Sequence, residues 1–78
     1  MTIQQYKLIE QNIKLIRHLT RMGFISPKLL TYYDIFLEYQ KVKDKYRINR
    51  YSQVAKMKRQ SVSTVRRAVY DMKKYVQV

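Results

Sequence analysis

Apolar residues recur along this chain at helical spacing. Tyr6, Ile9, Ile13, Ile16 and Leu19 follow a three-to-four rhythm, with Leu8, Leu15 and Met22 widening the stripe. That pattern predicts one amphipathic helix over residues 2–22. Gly23, the only glycine, stands where a helix ends in the left-handed conformation. Ser26-Pro27 then restarts the chain, because serine caps a helix and proline at its first position forfeits no hydrogen bond. A second helix is expected over 27–46, with Leu29, Leu30, Tyr33, Ile35, Phe36, Leu37 and Val42 forming a broad apolar face.

The rhythm breaks at residues 46–51. Alternation of Tyr46, Ile48 and Arg50 predicts a short extended segment over 46–50. Ser52 reads as the cap of a short helix over 53–59, with Val54 and Met57 inward. Ser61 reads as the cap of a last helix over 61–74, whose inner stripe is Val62, Val65, Val69 and Met72 with Ala68 beside them. Residues 75–78 favour β structure, so at most one short two-stranded pairing is expected, of 46–50 against 75–78. The fold class is mainly α.

Composition narrows what such a chain can do. Its 78 residues make one domain, and 46% apolar content is enough to fold it. One Gly and one Pro argue against a turn-rich all-β fold. Without cysteine there is no disulfide, no thiolate zinc site and no Cys nucleophile. His18 is the only histidine, too few for a His-ligated metal or a Ser-His triad, and is expected to be solvated or partly packed. Asp34 and Glu38 lie four apart beside Lys41 with no nucleophile near in sequence, which reads as a salt-bridged face. Tyr32, Tyr33 and Tyr39 read as core residues rather than base-stacking platforms. The expectation is therefore no catalysis, no cofactor, no metal and no small-molecule substrate. No apolar run reaches about 18 residues, and the N-terminus lacks the unbroken apolar core of a signal peptide. The expected setting is cytoplasmic, with no membrane partner.

Charge is the most informative property. Seventeen Lys and Arg against five Asp and Glu give a net charge of +12 and a pI near 10.2. Residues 1–22 carry four cations and one carboxylate, and residues 23–44 are neutral on balance. Residues 45–78 carry ten cations against Asp71 alone. A surface built only for solubility would mix both signs. The C-terminal part is therefore expected to meet a polyanion.

Residues 52–72 (SQVAKMKRQSVSTVRRAVYDM) carry a more specific signal. Ala55, the aliphatic Val65 ten positions later and the cap Ser61 hold the spacing of a helix-turn-helix, and Val69 and Met72 continue its inner face. With the preceding helix and the strand-like tail, residues 27–78 resemble the winged helix-turn-helix superfamily of bacterial-regulator type, with a reduced or absent wing. Arg59 stands where the turn of that family usually has a glycine, and Lys58 where an aliphatic residue is usual. The resemblance implies a double-stranded DNA partner. It further implies a small transcriptional regulator, or a plasmid or phage control or replication accessory protein, associated with the nucleoid when bound.

Helical geometry then sorts the residues. At about 100° per residue, Ser63, Arg66, Arg67, Tyr70 and Lys74 fall within about 100° of arc, opposite the valines. Ser63, Thr64 and Arg67 are expected to reach base edges in the major groove, with Arg66 beside them. Lys58, Arg59, Gln60, Ser61 and the open N–H groups of the helix start suit phosphates. Lys56, Lys73, Lys74, Arg47 and Arg50 are expected as further backbone clamps, and Tyr70 either reaches a phosphate or packs under an arginine.

Residues 2–22 hold more apolar surface than a three-helix unit needs. They either close the chain's own core or pair with a second copy, and the expectation is a homodimer through this segment. Two other classes remain open: a protein-interaction module on the same fold, and a structured-RNA binder.

Overall fold

The computed structural model describes residues 1–77, so the last position of the expected terminal strand, Val78, lies outside the described residues. The elements are β1 (Thr2–Gln4), α1 (Gln5–Gln11), α2 (Ile13–Arg21), α3 (Pro27–Lys41), α4 (Arg47–Lys58), α5 (Val62–Lys73) and β2 (Tyr75–Gln77). The fold is mainly helical, with one small antiparallel sheet of β1 and β2.

The punctuation read from sequence is present. Gly23 sits at φ 88°, in the left-handed region that glycine takes without penalty. Ser26 Oγ accepts from the Lys28 N–H at 3.3 Å, with Pro27 at the first helical position. Ser61 Oγ accepts from the Thr64 N–H at 3.1 Å. Each cap satisfies a donor that the first helical turn leaves open.

The N-terminal segment is not one helix. Thr2–Gln4 is extended and pairs with Tyr75–Gln77 in the register Thr2↔Gln77, Ile3↔Val76 and Gln4↔Tyr75. The Gln4 side-chain amide donates to the Lys73 carbonyl at 3.2 Å, and the Gln5 N–H donates to the Lys74 carbonyl at 2.8 Å. At Asn12 the helix breaks, at φ −122° and ψ 25°. Asn12 Nδ2 donates to the Leu8 carbonyl at 2.9 Å, a local bond that competes with the backbone ladder.

The expected strand at 46–50 is also corrected: these residues open α4. Asp44 Oδ1 accepts from the Tyr46 N–H at 3.0 Å and from Asn49 Nδ2 at 3.4 Å, while Oδ2 accepts from Gln53 Nε2 at 3.2 Å. The carboxylate thus ties the segment before α4 to side chains of the helix's first two turns, close to the positive end of its dipole. Ser52 therefore lies half-buried inside α4 rather than capping a helix. Val54 is inward at 0% exposure, but Met57 is outward at 58%. α3 ends at Lys41 rather than 46, where Val42 turns extended (ψ 122°).

α5 packs chiefly on α3 and then on α4, and α1 also touches it. Val54, Val65, Ala68 and Met72 are fully covered, with Ile35 and Phe36 beside them. Each of these side chains other than Ala68 contributes about 1.5–3 kcal/mol by its burial. α1 adds Ile9 and Tyr6, whose ring lies 4.8 Å from that of Phe36. Tyr32, Tyr33 and Tyr39 are buried, as read. Burial pushes the Tyr33 phenol above its ordinary value; Glu10 adds to the rise, Arg17 opposes it, and Asp34 adds a little. Glu38 pairs with Lys41 at 3.7 Å, and His18 is exposed. Among the described residues, no helix is long and apolar enough to cross a membrane, and no group of His, Cys, Asp or Glu is placed to hold a metal.

Candidate nucleic-acid interface

α5 divides its residues by face. Val65, Ala68, Val69 and Met72 are buried and Val62 is half-buried, whereas Ser63, Arg66, Arg67 and Tyr70 are exposed. Those four exposed residues line one shallow recess. Arginine, phenol and hydroxyl groups thus meet on one surface from three successive turns of helix. Lys74 Nζ stands 5.0 Å over the Tyr70 ring and pairs with Asp71 at 3.5 Å.

Electrostatics leaves this surface uncompensated. Among the described residues, the ion pairs are Lys41–Glu38 and Lys74–Asp71. No carboxylate of the described residues therefore pairs with Lys56, Lys58, Arg59, Arg66 or Arg67. The first turn of α5 holds no acidic residue either, so its positive dipole end meets the neutral Ser61 cap and no carboxylate.

Three hydroxyls gather at that helix start. Ser61 Oγ donates to Thr64 Oγ1 at 2.8 Å and lies 3.2 Å from Ser63 Oγ. Thr64 is half-buried and drawn into the cap, while Ser63 remains open. The expected readers are thereby separated: Ser63 and Arg67 face outward together, and Thr64 does not join them.

The turn from α4 to α5 is tight and strained. Arg59 takes φ 54° and ψ 44°, and the N–H groups of Arg59 and Gln60 both donate to the Ala55 carbonyl. This is the hydrogen-bond pattern of a helix end that glycine ordinarily serves. Arg59 adopts the conformation without being glycine. A non-glycine residue there costs about 1–2 kcal/mol, while glycine loses about 0.5–1 kcal/mol through greater unfolded freedom. Arg59→Gly is therefore expected to raise stability by about 0.5–1 kcal/mol, read as a higher urea midpoint.

The remaining clamps differ in availability. Arg59, Gln60, Lys56 and Arg47 are exposed, and Lys58 is half-buried. Arg50 is already engaged. Its guanidinium lies 3.9 Å over the Tyr39 ring, Nη2 donates to the Tyr39 carbonyl at 3.1 Å, and Nε is buried without a partner. Arg50 thus ties α4 to the end of α3. Lys73 Nζ stands 5.8 Å from the same ring. Sequence reasoning had no signal for this, since Arg50 and Tyr39 are brought together only by the turn between the helices. It also passed over Lys14, Arg17 and Arg21 on α2, whose three-and-four spacing marks one basic face.

No family model, no curated protein and no solved structure matches this chain.

Proposed function

We propose that this protein binds double-stranded DNA, with α4, the Arg59 turn and α5 acting as a helix-turn-helix that lays α5 in the major groove. It acts as a small transcriptional regulator or a plasmid or phage control protein. One observation carries this reading: the recess of Ser63, Arg66, Arg67 and Tyr70 on the face of α5 opposite its buried valines. B-DNA's major groove admits a helix, and an unpaired arginine can meet guanine O6 and N7 with two hydrogen bonds. Lys56, Lys58, Arg59, Gln60 and the capped start of α5 then lie where phosphates would flank that helix. Structured RNA fits less well, because the A-form major groove is too narrow for side chains to read.

Selection from a random duplex pool tests the reading. A sequence motif should be enriched, and affinity for it should fall steeply with salt. Contact with about five phosphates gives a slope near −4.5 in log K against log salt. Failure to bind any duplex at low salt, or tighter binding to a structured RNA, would overturn it.

A further inference from the structure

α2 is amphipathic along its length, yet none of its nine residues is buried. Ile13 and Ile16 lean partly on the core. Leu15 and Met22 keep 56% and 57% of their surface exposed, and Phe24, just beyond the helix, keeps 74%. At about 100° per residue, Leu15 and Met22 lie in one line two turns apart, and Lys14 and Arg21 lie together about 100° round the helix to one side of that line. Among the described residues neither cation has an ion-pair partner. An apolar edge bordered by unpaired cations is a surface lacking its complement.

This edge is set apart from α5. Arg17 borders Leu30, Tyr33 and Asp34 of α3, whereas Asp71 of α5 shares a recess with Lys28, Leu29 and Tyr32. α2 and α5 thus lie against different flanks of α3. A partner on α2 leaves the arginine face of α5 open.

We propose that the outward edge of α2, with Phe24, docks an acidic amphipathic helix from another protein. Charge complementarity selects this occupant. A second copy would bring Lys14 and Arg21 against their own images across a two-fold axis, and like charges there oppose association. α2 is also short, about 14 Å at 1.5 Å per residue. A stable dimer buries about 800 Å² on each partner. A lipid surface fits poorly, because an interfacial helix submerges its whole apolar face, and Ile13 and Ile16 are already committed to the core. A helix with glutamates beside leucines satisfies both features of the edge: carboxylates meet Lys14 and Arg21, and apolar anchors cover Leu15, Met22 and Phe24.

The inference does not rest on DNA binding. Its test is a titration of the full chain, followed by amide chemical shifts, with a synthetic helical peptide carrying Leu at i, i+3, i+4 and i+7 and Glu elsewhere. Shifts should concentrate in residues 14–24. Leu15→Ala combined with Met22→Ala should weaken the peptide at least about tenfold, as loss of two apolar anchors does, and leave duplex binding unchanged. Shifts confined to α5, equal affinity of the double variant, or no binding would each overturn the proposal. So would a micromolar homodimer abolished by the double variant, or preferential capture by phosphatidylserine vesicles.

Discussion

Phe36→Ala is expected to remove about half of the stability of this protein. Phe36 is 1% exposed at the middle of α3, and its ring meets Tyr6 of α1 at 4.8 Å. Truncation deletes apolar contacts and leaves a cavity that helices pinned on several sides cannot collapse to fill. Such changes cost about 3–5 kcal/mol. At about 0.05–0.15 kcal/mol per residue, a domain of this length holds only about 4–12 kcal/mol in total. Thermal melting followed by circular dichroism should show the midpoint lowered by about 12–40 °C, or no cooperative transition. Tyr70→Ala is the matched control: an exposed aromatic on α5 should move stability by no more than about 0.5 kcal/mol. A loss below about 1 kcal/mol at Phe36 would mean that α1 and α3 are not closed over this ring.

The core around Phe36 was legible in the sequence because its signals are local. Gly23, Ser26-Pro27 and Ser61 act on residues within one turn of themselves, and each does in the structure what its chemistry predicts. The Val65-Ala68-Val69-Met72 stripe needs only the helical repeat to be read. What escaped depends on partners distant in sequence or on competing local bonds. Thr2–Gln4 becomes a strand because Tyr75–Gln77 lies beside it, some seventy residues away in the chain. The β-favouring tail was visible, but its partner was not. Asn12 interrupts an unbroken apolar rhythm through one amide bond to Leu8. Asp44, placed three residues before α4, gathers three donors and turns an alternating segment into a helix start. Alternation over five residues is weak evidence beside three such bonds.

Strain at Arg59 links the fold to the candidate interface. A left-handed arginine at the turn is a cost that glycine would relieve, and the residue that bears it adds a cation beside the start of α5. Such outliers persist where the surroundings over-determine them, and they cluster at working surfaces. If Arg59 meets a phosphate, the same Arg59→Gly change that stabilises the chain should weaken every duplex and lower the salt slope by about 0.9.

Arg67→Ala is expected to reduce affinity for a selected duplex by about 1–3 kcal/mol while sparing a scrambled one. The structure concentrates this role on the arginines. Thr64 is half-buried with its Oγ1 accepting from the Ser61 hydroxyl, and Ser63 has a short reach. Arg67 and Arg66 are the long, unpaired donors left on the outward face of α5. Lys58→Ala, at the end of α4, should instead weaken both duplexes alike and lower the salt slope by about 0.9, the mark of one lost phosphate contact. Competition binding at two salt concentrations separates the two effects, since the ratio of selected to scrambled affinity should fall for Arg67→Ala and hold for Lys58→Ala. Equal losses on both duplexes from both variants would reduce Arg67 to a phosphate clamp, and sequence reading would pass to Arg66 and Ser63 in the same recess.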